Sequence, residues 1–169
     1  MTQKNRFPGG LIERASNISF EFDGSKYNGF KGDTLASALL ANDVRLMGRS
    51  FKYHRPRGPF TAGSGEPNAL VELRDGARKE PNTCATIIEL YEDLVANSQN
   101  RWPSLSFDIM AINDLMSNFL TAGFYYKTFM WPASFWEKIY EPLIRRAAGL
   151  GTASHQADPD CYDKGFLHC

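Results

Sequence analysis

Residues 48–58 concentrate side chains that bind anions and side chains that transfer protons. Arginine can pair through two N–H groups with a phosphate or a carboxylate, lysine supplies a compact charge, and histidine titrates near neutral pH. Aromatic side chains interleave with these charges, which suggests a contact surface. The alternative, a solvated loop whose arginines bind nearby carbonyl groups and carboxylates, remains equally open. We predict a cofactor-binding or subunit-interface site formed by Arg49, Ser50, Lys52, Tyr53, His54, Arg55 and Arg57.

His54 is the member of this segment that could act as an acid or a base. The sequence places no second titratable group beside it in a recognisable pair, so we expect a structural role. The chain contains no nucleophile elbow, no HExxH, no P-loop and no GxGxxG fingerprint. We predict no catalytic residue in this chain.

The segment that follows, TAGSGEPNALVEL, has the spacing of a plant-type ferredoxin loop without its cysteines. Thr61, Glu66 and Ala69 stand where C-x4-C-x2-C would place thiolates, and a hydroxyl, a carboxylate and a methyl group do not replace those ligands. Cys84 lies near the position of a fourth ligand, but one thiolate does not hold a cluster, and a lone cysteine is commonly a small buried hydrophobe. We predict a loop that has lost its iron–sulphur cluster, and no metal site.

Length and composition limit the class of protein. With 169 residues, of which 43% are hydrophobic and 22% charged, the chain can bury one ordinary core. The formal net charge is zero, which argues against nucleic acid as a partner of the whole chain. No window approaches the roughly 20 apolar residues of a membrane span, and the first residues lack the apolar run of a secretory signal. We expect a cytoplasmic protein that binds neither membranes nor nucleic acid.

The first half of the chain predicts two strands, a helix and further strands. Residues 17–22 alternate apolar and polar side chains, a turn follows, and 26–30 is again extended, which is typical of a hairpin. After Gly32, either Asp33 or Thr34 can cap a helix. Residues 69–73 and 83–90 also have strand character. This order predicts an α+β fold of the β-grasp type, a small mixed sheet crossed by one helix.

The second half predicts mainly helices. Residues 89–98 are compatible with a helix, residues 107–120 repeat apolar side chains at helical spacing, and a further helix at 137–148 is interrupted or started by Pro142. Residues 119–140 are unusually rich in aromatic side chains, which usually marks a core or an interface. The predicted domains are an N-terminal extension (1–16), a β-grasp ferredoxin-like domain (17–92), a helical aromatic-rich extension (93–151) and a linker (152–169).

Five motifs, found in order along nearly the whole chain, resemble the N-terminal region of the alpha subunits of heterotetrameric sarcosine oxidases. That resemblance implies a β-grasp domain of ferredoxin-like descent, followed in the full subunit by a dinucleotide-binding domain and a folate-binding domain. The polar linker at the end then suggests that the chain is a fragment. The motifs are GDTLASALLAN (32–42), GRSFKYHRPRG (48–58), GSGEPNALVEL (63–73), SQNRWPSL (98–105) and the segment 122–151.

The same resemblance implies a function for the whole complex, which is oxidative demethylation of sarcosine to glycine. Oxygen is reduced to hydrogen peroxide, and the one-carbon unit passes to tetrahydrofolate. FAD, FMN, NAD and tetrahydrofolate are implied for the complex and none of them for this chain, which is expected to be inactive alone. The implied partners are the beta, gamma and delta subunits and the remainder of the alpha subunit. We expect residues 49–57 and 124–136 to pack against the following dinucleotide-binding domain and the beta subunit.

Three alternatives remain open from the sequence. The first is that the chain is the same domain of a dimethylglycine or N-methylglutamate dehydrogenase complex, whose large subunit is expected to share this architecture. The present residues do not distinguish these complexes from sarcosine oxidase. An electron-transfer ferredoxin would be red-brown, whereas we expect a colourless protein. A stand-alone binding module would be stable and monomeric without partners, whereas a subunit domain should expose an apolar patch.

Overall fold

A five-stranded mixed sheet and one short helix form the main body of the protein. The computed structural model describes residues 3–118 and 131–166. The aromatic stretch predicted at 119–140 therefore lies partly outside the described residues. The strands are β1 (Glu13–Phe22), β2 (Ser25–Lys31), β3 (Gly48–Arg49), β4 (Pro56–Arg57), β5 (Leu70–Leu73), β6 (Glu80–Cys84) and β7 (Leu94–Ser98), and the α-helices are α1 (Leu35–Ala41), α2 (Ile112–Leu115) and α3 (Glu141–Ala147).

The strand order of the main sheet is β2-β1-β7-β5-β6, and β3 pairs with β4 in a separate two-stranded sheet. The pair β1 and β7 is parallel, and the other pairs of the main sheet are antiparallel. A mixed sheet with one helix packed on it is the predicted β-grasp arrangement. The mixed α+β class is confirmed.

The predicted hairpin is confirmed, and its apolar face supplies part of the core. Ile18, Phe20 and Phe22 are all buried, as the alternation along β1 requires. From the helix side, Leu35 and Leu39 are fully buried at a spacing of one turn. The sheet and α1 therefore enclose one hydrophobic core, completed by Ala36, Ala38, Met47, Ala69, Val71, Leu73, Ala85, Leu90, Leu94, Ala96 and Leu105.

Helix α1 begins at a reciprocal cap. The Thr34 hydroxyl accepts the Ser37 N–H at 3.2 Å, and the Ser37 hydroxyl accepts the Thr34 N–H at 2.9 Å. Such a capping box satisfies two of the N–H groups that a helix start leaves without partners. Of the two predicted caps, Thr34 is the observed one, and Asp33 has a different role.

The helix predicted at 89–98 is wrong, because residues 94–98 form the central strand β7. Its buried positions alternate, with Leu94, Ala96 and Ser98 facing inward, which is the period of a strand. Strand β6 starts at Glu80 and ends at Cys84, earlier than the strand predicted at 83–90. The sheet thus extends past residue 92, where we had predicted the domain to end.

The helices described after β7 are short, and most of the described residues there are not helical. A 3₁₀ turn at Ile109–Ala111 leads into α2, and a π-helical turn at Trp136–Tyr140 leads into α3. Pro142 occupies the first turn of α3, where its missing N–H costs nothing. The helices of residues 3–118 and 131–166 include none with the length and hydrophobicity of a membrane span.

Candidate functional site

The hairpin of β3 and β4 carries the basic segment at one edge of the protein. Its register pairs Gly48 with Arg57. At the tip, the carbonyl of Ser50 accepts the His54 N–H at 3.0 Å, and the hydroxyl of Ser50 accepts the Arg55 N–H at 3.0 Å. The seven predicted site residues therefore lie on one hairpin, with Arg49 and Arg57 on its strands and the other five at its turn.

Arg49 binds backbone oxygens of the protein itself. Its guanidinium donates to the carbonyl of Leu105 at 2.7 and 3.0 Å, to that of Ser106 at 3.3 Å and to that of His54 at 2.9 Å. These bonds fasten the hairpin to the segment that follows β7. For Arg49, the observed contacts match the alternative of a structural arginine.

The other cations of the segment differ in their availability. Arg55 forms an ion pair with Asp114 at 2.6 Å, and its guanidinium lies 4.8 Å from the ring centre of Tyr53. The ammonium of Lys52 lies 5.0 Å from the same ring. Arg57 is exposed, and within the described residues its guanidinium forms no hydrogen bond or ion pair. It is the cation of this segment most available to a partner.

His54 pairs with a carboxylate that sequence reasoning missed. Its Nδ1 lies 2.6 Å from Oδ2 of Asp108, and both side chains are buried. Asp108 also accepts the backbone N–H groups of Trp102 and Met110, at 3.2 and 3.0 Å. The carboxylate thus holds the imidazole in one orientation and joins the basic hairpin to the start of the C-terminal part.

The ferredoxin-like loop, which runs from residue 61 to residue 69, donates backbone hydrogen bonds to the carboxylate of Glu66. Oε2 of Glu66 accepts the backbone N–H of Phe60 at 2.7 Å and that of Thr61 at 2.5 Å. Oε1 accepts the N–H of Asn68 at 2.7 Å and that of Ala69 at 3.3 Å. Glu66 is 3% exposed. Four backbone donors from both sides of the loop therefore converge on one buried anion.

These contacts set the ionisation of Glu66. Burial alone would raise the pKa of the carboxyl. The hydrogen bonds from the backbone of Thr61, Asn68, Phe60 and Ala69 together lower the pKa by more than burial raises it. The pKa of Glu66 is therefore below its ordinary value, and the group is ionised at neutral pH. The loop holds a fixed negative charge.

The residues of this loop do not fit a two-iron cluster of the ferredoxin type. Such a cluster needs four thiolates, and Thr61, Glu66 and Ala69 provide none. Cys84 lies beside the loop, with its Sγ 3.5 Å from the carbonyl oxygen of Glu66. In residues 3–118 and 131–166, no group of three or more His, Cys, Asp or Glu side chains could hold a metal ion.

Comparison with known proteins gives a family and three relatives. Residues 15–101 match the family described as "2Fe-2S iron-sulfur cluster binding domain". The sarcosine oxidase subunit alpha of Rhizobium meliloti (strain 1021) is 68% identical over 160 residues, which cover 95% of this chain and 16% of that protein. Subunits alpha of sarcosine oxidase from Corynebacterium sp. strains U-96 and P-1 are 46% identical over 72 residues and 48% identical over 66 residues.

The aligned regions are small parts of those relatives, because the chain spans 16% of the first and 7% of each of the other two. The resemblance to sarcosine oxidase alpha subunits is nevertheless confirmed by the identity over 95% of this chain. Among solved structures, the L-proline dehydrogenase from P. horikoshii is 25% identical, with a TM-score of 0.40. The alignment covers 52% of this chain and 16% of the dehydrogenase chain.

Proposed function

The chain belongs to the family of 2Fe-2S iron-sulfur cluster binding domains, and from this premise we propose that it is a member in which a carboxylate has replaced the cluster. The observation that carries the proposal is Glu66, whose side chain takes four backbone N–H groups in the loop. In ferredoxins, backbone donors of such a loop point at cluster sulfurs and thiolates. Here the anion that satisfies them belongs to the chain itself.

The domain then has an assembly role in place of an electron-transfer role. It is the N-terminal part of the alpha subunit of a sarcosine oxidase complex, as its identity to the Rhizobium meliloti subunit supports. That complex oxidatively demethylates sarcosine to glycine, forms hydrogen peroxide and passes the one-carbon unit to tetrahydrofolate. Its FAD, FMN, NAD and folate are bound outside the present residues, and the isolated chain is inactive.

The surface around the basic hairpin supports an assembly role. Phe51 is 47% exposed and Phe60 is 79% exposed, and they lie before and after the available cation Arg57 in the sequence. Beyond β7, Trp102 and Phe107 are also more than half exposed. Exposed aromatic side chains with an arginine among them are typical of protein interfaces. We place the contact with the remainder of the alpha subunit and with the beta subunit on this surface, continued by the helical, aromatic-rich extension.

Charge reversal at Arg57 tests the assembly role. The alpha subunit that contains this chain is co-expressed with beta, gamma and delta subunits, and the complex is recovered through a tag on the beta subunit. Arg57→Glu should reduce recovered alpha subunit and bound flavin at least about tenfold, because arginine is enriched among the few interface residues that carry about 2 kcal/mol or more, and the reversed charge adds repulsion. Flavin absorbance and gel densitometry measure the effect.

The matched control is Lys26→Glu, which reverses an exposed cation on the edge strand β2. It should assemble like the unchanged subunit. Equal assembly of the Arg57→Glu and Lys26→Glu complexes, with equal flavin content, would contradict an interface at the basic hairpin.

A further inference from the structure

The segment from Gly149 to Asp160, which we call the strap, follows α3 and has no regular secondary structure. It nevertheless returns to the sheet, beside the edge strand β6 and the turn before it. Four of its residues are half-buried and the others are exposed; the four are Gly149, Gly151, Ser154 and Asp160. An irregular segment that is covered at spaced positions indicates specific contacts there.

The first contact is a close approach of the backbone at Gly151. Its N–H donates to Oδ1 of Asn82 in β6 at 3.2 Å. A Cβ atom at position 151 would lie 2.3 Å from Cβ of Pro81 and 2.4 Å from Nε2 of Gln99, well inside van der Waals contact. The φ angle of Gly151 is outside the left-handed region. Glycine is therefore needed here for space and not for its backbone conformation.

The surface that receives Gly151 is held in place without the strap. Oε1 of Gln99 accepts the backbone N–H of Asn82 at 2.7 Å, and Nε2 of Gln99 donates to Oδ1 of Asn82 at 3.2 Å. These two bonds fix the side chain that accepts the N–H of Gly151, and they join β6 to the residue after β7. Such preorganisation lowers the entropic cost of docking the strap.

The second contact is an ion pair at the other end of the strap. Nε and Nη2 of Arg78 both bind Oδ1 of Asp160, at 2.9 and 2.7 Å. The two sides carry opposite charges, because residues 74–79 contain three cations and one aspartate, whereas residues 152–166 contain three aspartates and one lysine. This attachment is therefore electrostatic.

A local turn presents Asp160 to Arg78. The side chain of Asp158 accepts the backbone N–H of Asp160 at 2.9 Å and also the hydroxyl of Tyr162. These two bonds, the one from Tyr162 first, hold the pKa of Asp158 below its ordinary value, and the charges of Arg78 and Arg74 lower it further. Both carboxylates of the turn therefore lie within the field of the arginines.

We propose that the strap is a docking element with two separable attachments, an inner one that requires glycine at position 151 and an outer one that requires opposite charges at positions 160 and 78. The docking surface is β6 with the turn before it, and its partner is the chain's own strap. Docking fixes the end of α3 to the ferredoxin-like sheet. This inference goes beyond the assembly role and does not depend on it.

Backbone ¹⁵N relaxation of the full chain tests the inner attachment. Residues 149–160 should have order parameters near those of the sheet, about 0.85, whereas residues 163–166, which are exposed and form no hydrogen bond with any described residue, should be below about 0.6. Gly151→Ala should bring the residues around it below about 0.6, because the added methyl group meets Pro81. The matched control is Gly165→Ala, since a Cβ at 165 meets nothing within 4 Å. It should leave the strap unchanged.

Charge reversal tests the outer attachment in the same experiment. Asp160→Lys should bring residues 156–162 below about 0.6 and leave Gly151 ordered, because the inner attachment does not depend on charge. Its matched control, Asp163→Lys, changes an exposed carboxylate and should change neither region. Salt at about 1 M should act like Asp160→Lys, because it shortens the screening length to about 3 Å.

The strap lies outside the hydrophobic core, so all four variants should fold, and the amides of β1 and β7 report that they do. The proposal is overturned if residues 149–160 of the unchanged chain are as flexible as residues 163–166, or if either variant behaves like its control. It is also overturned if Asp160→Lys releases Gly151, because the two attachments would then be one.

Discussion

Replacing Glu66 by glutamine should destabilise the folded chain by about 3 kcal/mol at neutral pH, which lowers the melting temperature by roughly 10 °C. The carboxylate accepts N–H groups at both oxygens. A glutamine amide must turn its NH₂ group toward one pair of these donors and leaves them buried without an acceptor. Thermal unfolding followed by circular dichroism measures the change.

The destabilisation caused by Glu66→Gln should decrease at low pH, because the pKa of Glu66 is lowered in the folded chain. Because the pKa is lower in the folded chain, the carboxylate contributes its full stability above its ordinary pKa of about 4.3 and loses it as the pH falls through the folded value. The difference in melting temperature between the unchanged chain and the Glu66→Gln variant should therefore be constant near pH 7 and should shrink below about pH 4.5.

The control for this prediction is Glu13→Gln, because Glu13 is more than half exposed and only loosely paired with Lys31, at 3.6 Å. Its effect should stay below about 0.5 kcal/mol. A Glu66→Gln variant as stable as the Glu13→Gln variant, or a difference that grows as the pH falls, would show that the loop does not depend on a carboxylate.

Replacing Asp33 by asparagine should cost about 3–5 kcal/mol, because it leaves the mostly buried arginine Arg6 without its counter-charge. Arg6 forms two bonds to the Asp33 carboxylate, at 3.0 and 2.6 Å, and the Asp33 side chain has no exposure to solvent. The carboxylate also accepts the N–H of Phe30 and the hydroxyl of Ser37, at 2.9 and 2.8 Å. The change therefore loosens the N-terminal segment, the edge of β2 and the first turn of α1 together.

Denaturant unfolding and hydrogen exchange measure the Asp33→Asn variant. Amides of α1 and of residues 3–7 should lose protection together, because one carboxylate fastens both segments. The matched control, Asp43→Asn, alters an exposed ion pair with Arg45 and should change stability by less than about 1 kcal/mol. If the Asp33→Asn variant is as stable as the control, the buried pair does not anchor the N-terminal segment.

The parts of the fold that depend on local pattern were predictable from the sequence. The alternation of residues 17–22 and the capping residue Thr34 are signals contained in a few consecutive residues, and both predictions are confirmed. Strand β7 was missed because residues 89–98 contain good helix formers such as Glu89, Leu90 and Leu94. Its strand state comes from pairing with β1 in parallel and β5 in antiparallel, and these partners are distant in the sequence.

The contacts of the candidate site were less predictable than its residues. Spacing predicts Thr61, Glu66 and Ala69 as positions of lost ligands, but it could not show that the Glu66 side chain folds inward, because the direction of the backbone N–H groups is a property of the folded loop. The Asp108 partner of His54 was missed for a similar reason, since 54 positions separate the two.

The central claim is that a carboxylate has replaced the iron–sulphur cluster. It is tested most directly by measuring the iron and acid-labile sulfide content and the visible absorbance of the chain after anaerobic reconstitution with iron and sulfide. Our account predicts a colourless protein without stoichiometric iron, because the loop itself has no cysteine, Cys84 beside it is a single thiol, and the Glu66 carboxylate already accepts the loop N–H groups. A red-brown protein with one two-iron cluster per chain would contradict it and would identify an electron-transfer domain instead.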